Sequence, residues 1–222
     1  MLKLILRQAN WGIFGAIFGF SIGFFVKIYL IDIVGFDAWG KYVTVHTFSS
    51  ISETFLSIGI PYVIIKFIPN FVENNKDKAS KIASIFIRYA FIVGSIYLGV
   101  IYFFSSSINH FVYSDISDLN WLLFIMCINV PISMLFGVVI SLYRSVLKIK
   151  EIVLYGTLVN VTVRAILTFI IFQFTDDIAH FILLEVFTQI LVLSILLYLF
   201  NKNEFSVFVK SDTKVVTLDT KM

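Results

Sequence analysis

The sequence predicts an all-α fold, a polytopic membrane helix bundle of six transmembrane helices. Three observations predict it. Of 222 residues, 59% are hydrophobic and only 14% are charged, where a soluble domain carries about 25% charged residues; the mean hydropathy is +0.95. The apolar residues gather in six windows of the length a spanning helix needs, about 20 residues: 11–33, 42–64, 82–104, 121–143, 152–174 and 178–200. Lys and Arg then alternate between successive connections. This composition excludes a disordered chain, a nucleic-acid-binding tail and a disulfide-stapled secreted domain, and argues against an ordinary soluble enzyme. The single Cys127 sits in an apolar stretch and says nothing about redox compartment.

The first window follows Lys3 and Arg7, as a signal peptide would, but its apolar run is too long and no cleavage site follows. It carries Gly15, Gly19, Gly23 and Lys27 at four-residue steps, one face of a helix. In the second window Glu53 shares a face with Tyr42, His46, Ser49, Ser50 and Ser57. The third aligns Arg88 with Ser84, Ser95 and Gly99. The fourth carries Asn129, Ser133, Gly137 and Ser141, and Pro131 is expected to kink it. The fifth aligns Arg164 with Thr157, Asn160 and Thr168, and the sixth Glu185 with Thr188 and Gln189. Polar and small residues thus form stripes while Phe, Ile, Leu and Val fill the rest. That is the pattern of a bundle with lipid outside and a polar or tightly packed interior. The Gly row and the Ser/Gly row match small-residue packing seams.

Basic residues give the orientation. Of 17 Lys and Arg, 13 fall in the head, in connections 65–81 and 144–151, and in the polar tail 201–222. Only Lys41 falls on the other side, which holds Asp32, Asp37, Asp115, Asp118, Asp176 and Asp177. Cytoplasmic connections are enriched in Lys and Arg, so both termini are expected in the cytoplasm. Asp176 and Asp177 read as a solvated turn. Trp11, Trp39, Trp121, Tyr42 and Tyr143 lie near window ends and read as interfacial anchors.

Lys27, Glu53, Arg88, Arg164 and Glu185 lie within windows, where a charge costs about 2.5–3.5 kcal/mol at the helix centre. Such groups face protein or trapped water and are functional candidates. With Asn160 they form the expected substrate-binding set, and His46 and Glu53 are the candidate proton-coupling groups. A structural reading, ion pairs that hold the bundle together, stands beside it. Depth pairs Glu53 with Arg164 near the midplane and Lys27 with Glu185 in the outer half; Arg88 can snorkel to the inner interface. No metal constellation, cofactor motif, phosphate loop or nucleophile motif appears, so neither a cofactor nor nucleic acid is expected.

Three segments carry a resemblance. Gly35-Phe36-Asp37-Ala38-Trp39-Gly40-Lys41-Tyr42 resembles the first connection of the Wzx-type polysaccharide flippases of the multidrug/oligosaccharidyl-lipid/polysaccharide exporter superfamily. Ile58-Gly59-Ile60 and Lys66-Phe67-Ile68-Pro69 are similar to the end of that family's second helix. Leu142-Tyr143-Arg144-Ser145 running into Lys148-Ile149-Lys150 resembles its basic turn between the fourth and fifth helices. The resemblance spans roughly residues 7–200 and implies export of undecaprenyl-pyrophosphate-linked oligosaccharide across the bacterial inner membrane by alternating access. Its partners would be that lipid-linked oligosaccharide and the membrane lipids. Family members have two six-helix lobes, so this chain is expected to be an N-terminal lobe, a fragment or a half-transporter that works with a C-terminal lobe or second subunit. A cation-coupled drug exporter of the same superfamily and a non-transporting scaffold of a polysaccharide assembly complex are the competing expectations. An enzyme is not expected.

Overall fold

A computed structural model describes residues 2–113 and 116–208, and the last stretch of the polar tail, 209–222, lies outside the described residues. The described residues are helical, with no strand among them. Five helices are long and apolar enough to cross a membrane: Gln8–Leu56, Lys76–Tyr113, Leu119–Ser145, Ile149–Ile171 and Ala179–Asn203. The chain is a multi-pass membrane helix bundle.

The first of these, α1 (Leu2–Leu56), is two helices joined at Gly35, whose φ of 81° and ψ of 166° are not helical. That backbone region is open essentially to glycine alone. The Lys27 ammonium sits 5.7 Å from the centre of the Trp39 ring. Twelve residues of straight helix would part those positions by about 18 Å. The chain therefore turns back at Gly35, and the expected connection 34–41 is a hairpin with helix on both sides. The two limbs, 2–34 and 36–56, take the places of the first two expected windows.

The second limb stops earlier than expected. Window 42–64 is interrupted because Gly59 adopts φ 80°, a left-handed conformation, after Leu56. A new helix, α2 (Ile60–Asn74), starts there with Pro61 in its first turn, where a missing N–H costs nothing. The expected connection 65–81 is thus mostly helix. Only Asn75 separates α2 from α3 (Lys76–Tyr113), and its Oδ1 accepts a hydrogen bond from Lys78 N at 3.1 Å, capping α3.

The helix α4 (Leu119–Ser145) runs on through Pro131 and is the central element. It packs against α1, α2, α3 and α7 (Ala179–Asn203). Gly94 of α3 meets Pro131 with no room for a side chain, which lets the two backbones approach. The fifth span opens with α5 (Ile149–Glu151), widens into a π-helix over Ile152–Val159 and returns to α-helix in α6 (Asn160–Ile171). Asp177 Oδ1 accepts from Ala179 N at 2.9 Å, so the acidic pair forms the turn that leads into α7.

Limb 2–34 runs parallel to the fifth span. Gly15 faces Val153, Gly19 faces Thr157 and Val161, and Tyr29 stacks on Phe169 at 4.4 Å. The glycine row is the packing seam. Limb 36–56 runs parallel to α4, with Ser49 Oγ donating to Met126 O at 3.4 Å. Apolar residues fill two cores. One, built on Ile64, Ile68, Leu142, Leu196 and Phe200, ties α2, α3, α4 and α7 together. The other, built on Leu30, Val45, Leu119, Leu123 and Ile182, joins the limbs to α4 and α7. Phe205 and Val207, just past α7, fold back into the first core, and Val207 N donates to Asn201 Oδ1 at 2.7 Å.

Two expected anchors are not at an interface. Tyr143 is buried and its hydroxyl donates to Leu196 O at 3.0 Å. Tyr42 is buried as well, in the site described next. Trp121 stays exposed.

Candidate functional site

The reversal at Gly35 brings Lys27 and Trp39 face to face, and the parallel packing of limb 2–34 on the fifth span places Arg164 beside them. The result is a cavity of about 220 Å³ lined by Lys27, Trp39, Tyr42, His46, Arg164 and Phe181, with Gly23 leaving space in its wall. Four elements contribute: both limbs, α6 and α7.

The polar centre is a three-residue node. Arg164 Nη1 donates to Glu185 Oε1 at 2.7 Å, a charge-assisted bond between α6 and α7. Tyr42 Oη donates to the other carboxylate oxygen, Oε2, at 3.2 Å, bringing in limb 36–56. The Arg164 guanidinium also lies over the Phe181 ring, 6.0 Å from its centroid. The His46 ring lies 5.5 Å from that of Tyr42, and its Nδ1 is 3.5 Å from Ser50 Oγ.

The pairing expected from depth is corrected here. Arg164 pairs with Glu185, not with Glu53, and Lys27 engages Trp39, not Glu185. The helix ends explain the difference. Arg164 lies seven residues before the end of α6 at Ile171, and Glu185 six residues after the start of α7 at Ala179, so antiparallel packing puts them level. Glu53 lies three residues before the end of its limb at Leu56 and is not at mid-height.

Glu53 instead joins a second polar layer. It hydrogen-bonds Ser133 of α4, whose Oγ also accepts from Gln189 Nε2 of α7 at 2.8 Å. The Ser/Gly row of the fourth helix is therefore a polar contact line as well as a seam. Asn160 lies one turn from Arg164. Its Oδ1 is buried without a hydrogen-bond partner among the described residues, as is Asn129 Oδ1.

Arg88 belongs elsewhere. It lies on an apolar groove of about 640 Å³ between α3, α4 and α7, with Ser84, Phe91, Leu135, Leu197 and Phe208. Of the expected set, the structure thus gathers Lys27, His46, Arg164 and Glu185 at one site, puts Glu53 in the adjoining layer and leaves Arg88 apart. Sequence reasoning missed Trp39 and Phe181 as site residues. Trp39 had a signal, since it falls in the short connection whose glycine forces the chain back on itself. Among the described residues no group of three or more His, Cys, Asp or Glu could hold a metal ion.

The arrangement offers cations, a phenol, an imidazole and aromatic faces within an otherwise apolar bundle. That is suited to binding a polar solute away from bulk water. No curated protein and no solved structure matches the chain. A family model described as polysaccharide biosynthesis protein matches residues 5–219, nearly the whole length of this membrane bundle, and the chain belongs to that family.

Proposed function

We propose that the chain takes part in moving lipid-linked oligosaccharide across the bacterial inner membrane by alternating access. The cargo is undecaprenyl-pyrophosphate-linked repeat units for O-antigen, capsule or exopolysaccharide, and both termini lie in the cytoplasm. The chain acts as a transporter component, not as an enzyme, together with a second lobe or subunit that closes the other side of the path. The observation that carries this reading is the Arg164–Glu185–Tyr42 node opening on a cavity that also holds Lys27 and His46. Charged groups at this depth are costly unless they serve a path or a pair, and here one node does both. Family membership supports polysaccharide units over cationic drugs as cargo.

The node joins limb 36–56 and α6 to α7. Any motion that parts these helices has to break it, so it can stabilise one of two packings. His46 and Glu53, on the same limb, are the groups we assign to ion coupling. Complementation of a flippase-null strain with the full gene, scored by surface polysaccharide, tests the reading. Rescue by the wild type and its loss in Arg164→Gln at equal membrane abundance is the expected result. No rescue by well-expressed wild type refutes it.

A further inference from the structure

The charge arrangement of the cavity narrows what it can hold. Arg164 is neutralised by Glu185 at 2.7 Å. Lys27 engages only the Trp39 ring, and no carboxylate pairs with it among the described residues. Lys27, Arg164 and Glu185 together therefore sum to one net positive charge. A single monoanion balances it. A pyrophosphate, with more than one charge, would leave negative charge uncompensated in a desolvated site.

Size and wall chemistry point the same way. About 220 Å³ is below the roughly 300–1,000 Å³ of sites for drug-sized ligands, which is room for one ring and not for an oligosaccharide. Trp39, Tyr42 and Phe181 supply aromatic faces, and Trp39 and Phe181 lie 6.4 Å apart between centroids. A pyranose has a face of C–H groups that packs on such rings and a rim of hydroxyls that needs donors and acceptors. A guanidinium has five N–H groups, and Glu185 engages only Nη1 of Arg164, so further donors remain for the rim.

We infer that this cavity is a subsite for one sugar ring bearing a single carboxylate, of the hexuronic acid class, within the transported unit. Lys27 binds the carboxylate, Trp39 and Phe181 pack on the ring, and the pyrophosphate is held elsewhere. The inference rests on the transport reading above and specifies its cargo.

Trp39 is a built-in reporter. In the full chain in detergent, with Trp11→Phe and Trp121→Phe leaving Trp39 as the one tryptophan, fluorescence is titrated with sodium glucuronate, glucose and sodium pyrophosphate at matched ionic strength. Glucuronate is expected to saturate the change at about tenfold lower concentration than glucose, the worth of one charge-assisted hydrogen bond. Lys27→Gln removes that preference and Lys27→Arg keeps it. Equal responses to the two sugars, no saturable response, a preference that survives Lys27→Gln, or tighter binding of pyrophosphate overturns the subsite. The two ideas fail separately. Rescue of export without glucuronate preference removes only the subsite. Glucuronate preference in a chain that cannot rescue export removes the transport reading and leaves an acidic-sugar site.

Discussion

Gly94 of α3 lies directly on Pro131 of α4, and a Cβ at Gly94 would stand 2.7 Å from the proline Cα. The contact is with backbone, which cannot step aside as a flexible side chain would. Gly94→Ala must push α3 away from the central helix. We expect a loss of about 1–3 kcal/mol, the usual cost of overpacking. Thermal unfolding in detergent measures it, and an unchanged midpoint would show that the helices separate freely here.

Gly35 is irreplaceable for a different reason. Nothing crowds it, but its φ of 81° with ψ of 166° is hostile to any residue with a Cβ. Gly35→Ala should cost about 1–3 kcal/mol and disturb the approach of Lys27 to Trp39. Gly40→Ala, five residues on, lies in ordinary helix with open space around it and should be neutral or slightly stabilising. Cysteine pairs at positions 27 and 39 report the difference: cross-linking is retained in Gly40→Ala and reduced in Gly35→Ala.

Two glycines of the first limb, one in the packing row and one outside it, make an internal control. A Cβ at Gly15 would stand 2.8 Å from the Val153 side chain, while Gly12 has nothing within 4 Å. Gly15→Leu should lower folded yield by displacing the limb from the π-helix, and Gly12→Leu should leave it unchanged. Equal behaviour of the two variants would remove the limb's docking on the fifth span.

The Arg164–Glu185 pair has side-chain exposures of 26% and 11%. Removing one partner strands the other, at a cost of about 2 kcal/mol for a hydrogen bond to a charged group. Glu185→Gln and Arg164→Gln should each destabilise the bundle by that amount. The double variant Arg164→Met with Glu185→Leu should recover stability, because no charge is left unpaired. Export should stay lost in it. Export that returns with stability would make the pair structural only.

Much of the helix plan was legible because periodicity and hydropathy are local. The polar faces were legible for the same reason: Glu185, Arg164, Tyr42 and His46 all stand on the stripes that the sequence shows. Partners were not, because a window gives height only if its ends are right. Gly59 ends the second limb eight residues before the expected point, and α6 stops at Ile171, so Glu53 and Arg164 lost their apparent level. Tyr42 and Tyr143 looked like interfacial anchors since hydropathy records where a window ends, not which neighbour fills the space beyond it. Tyr143 points inward to Leu196 O.

The π-helix Ile152–Val159 was invisible to a helical wheel, and it changes how the fifth span should be read. Each i→i+5 bond takes one more residue per turn than the α-helical bond does. Thr157 and Arg164 are seven residues apart, which in a uniform α-helix sets them on one face. Both meet the first limb, Thr157 at Gly19 and Arg164 in the cavity with Gly23 and Lys27, and Arg164 also reaches Glu185 of α7. The wide segment acts as a change of pitch near the start of a rod. The same two neighbours, the first limb and α7, are met along both the wide part and the α-helical part of the span.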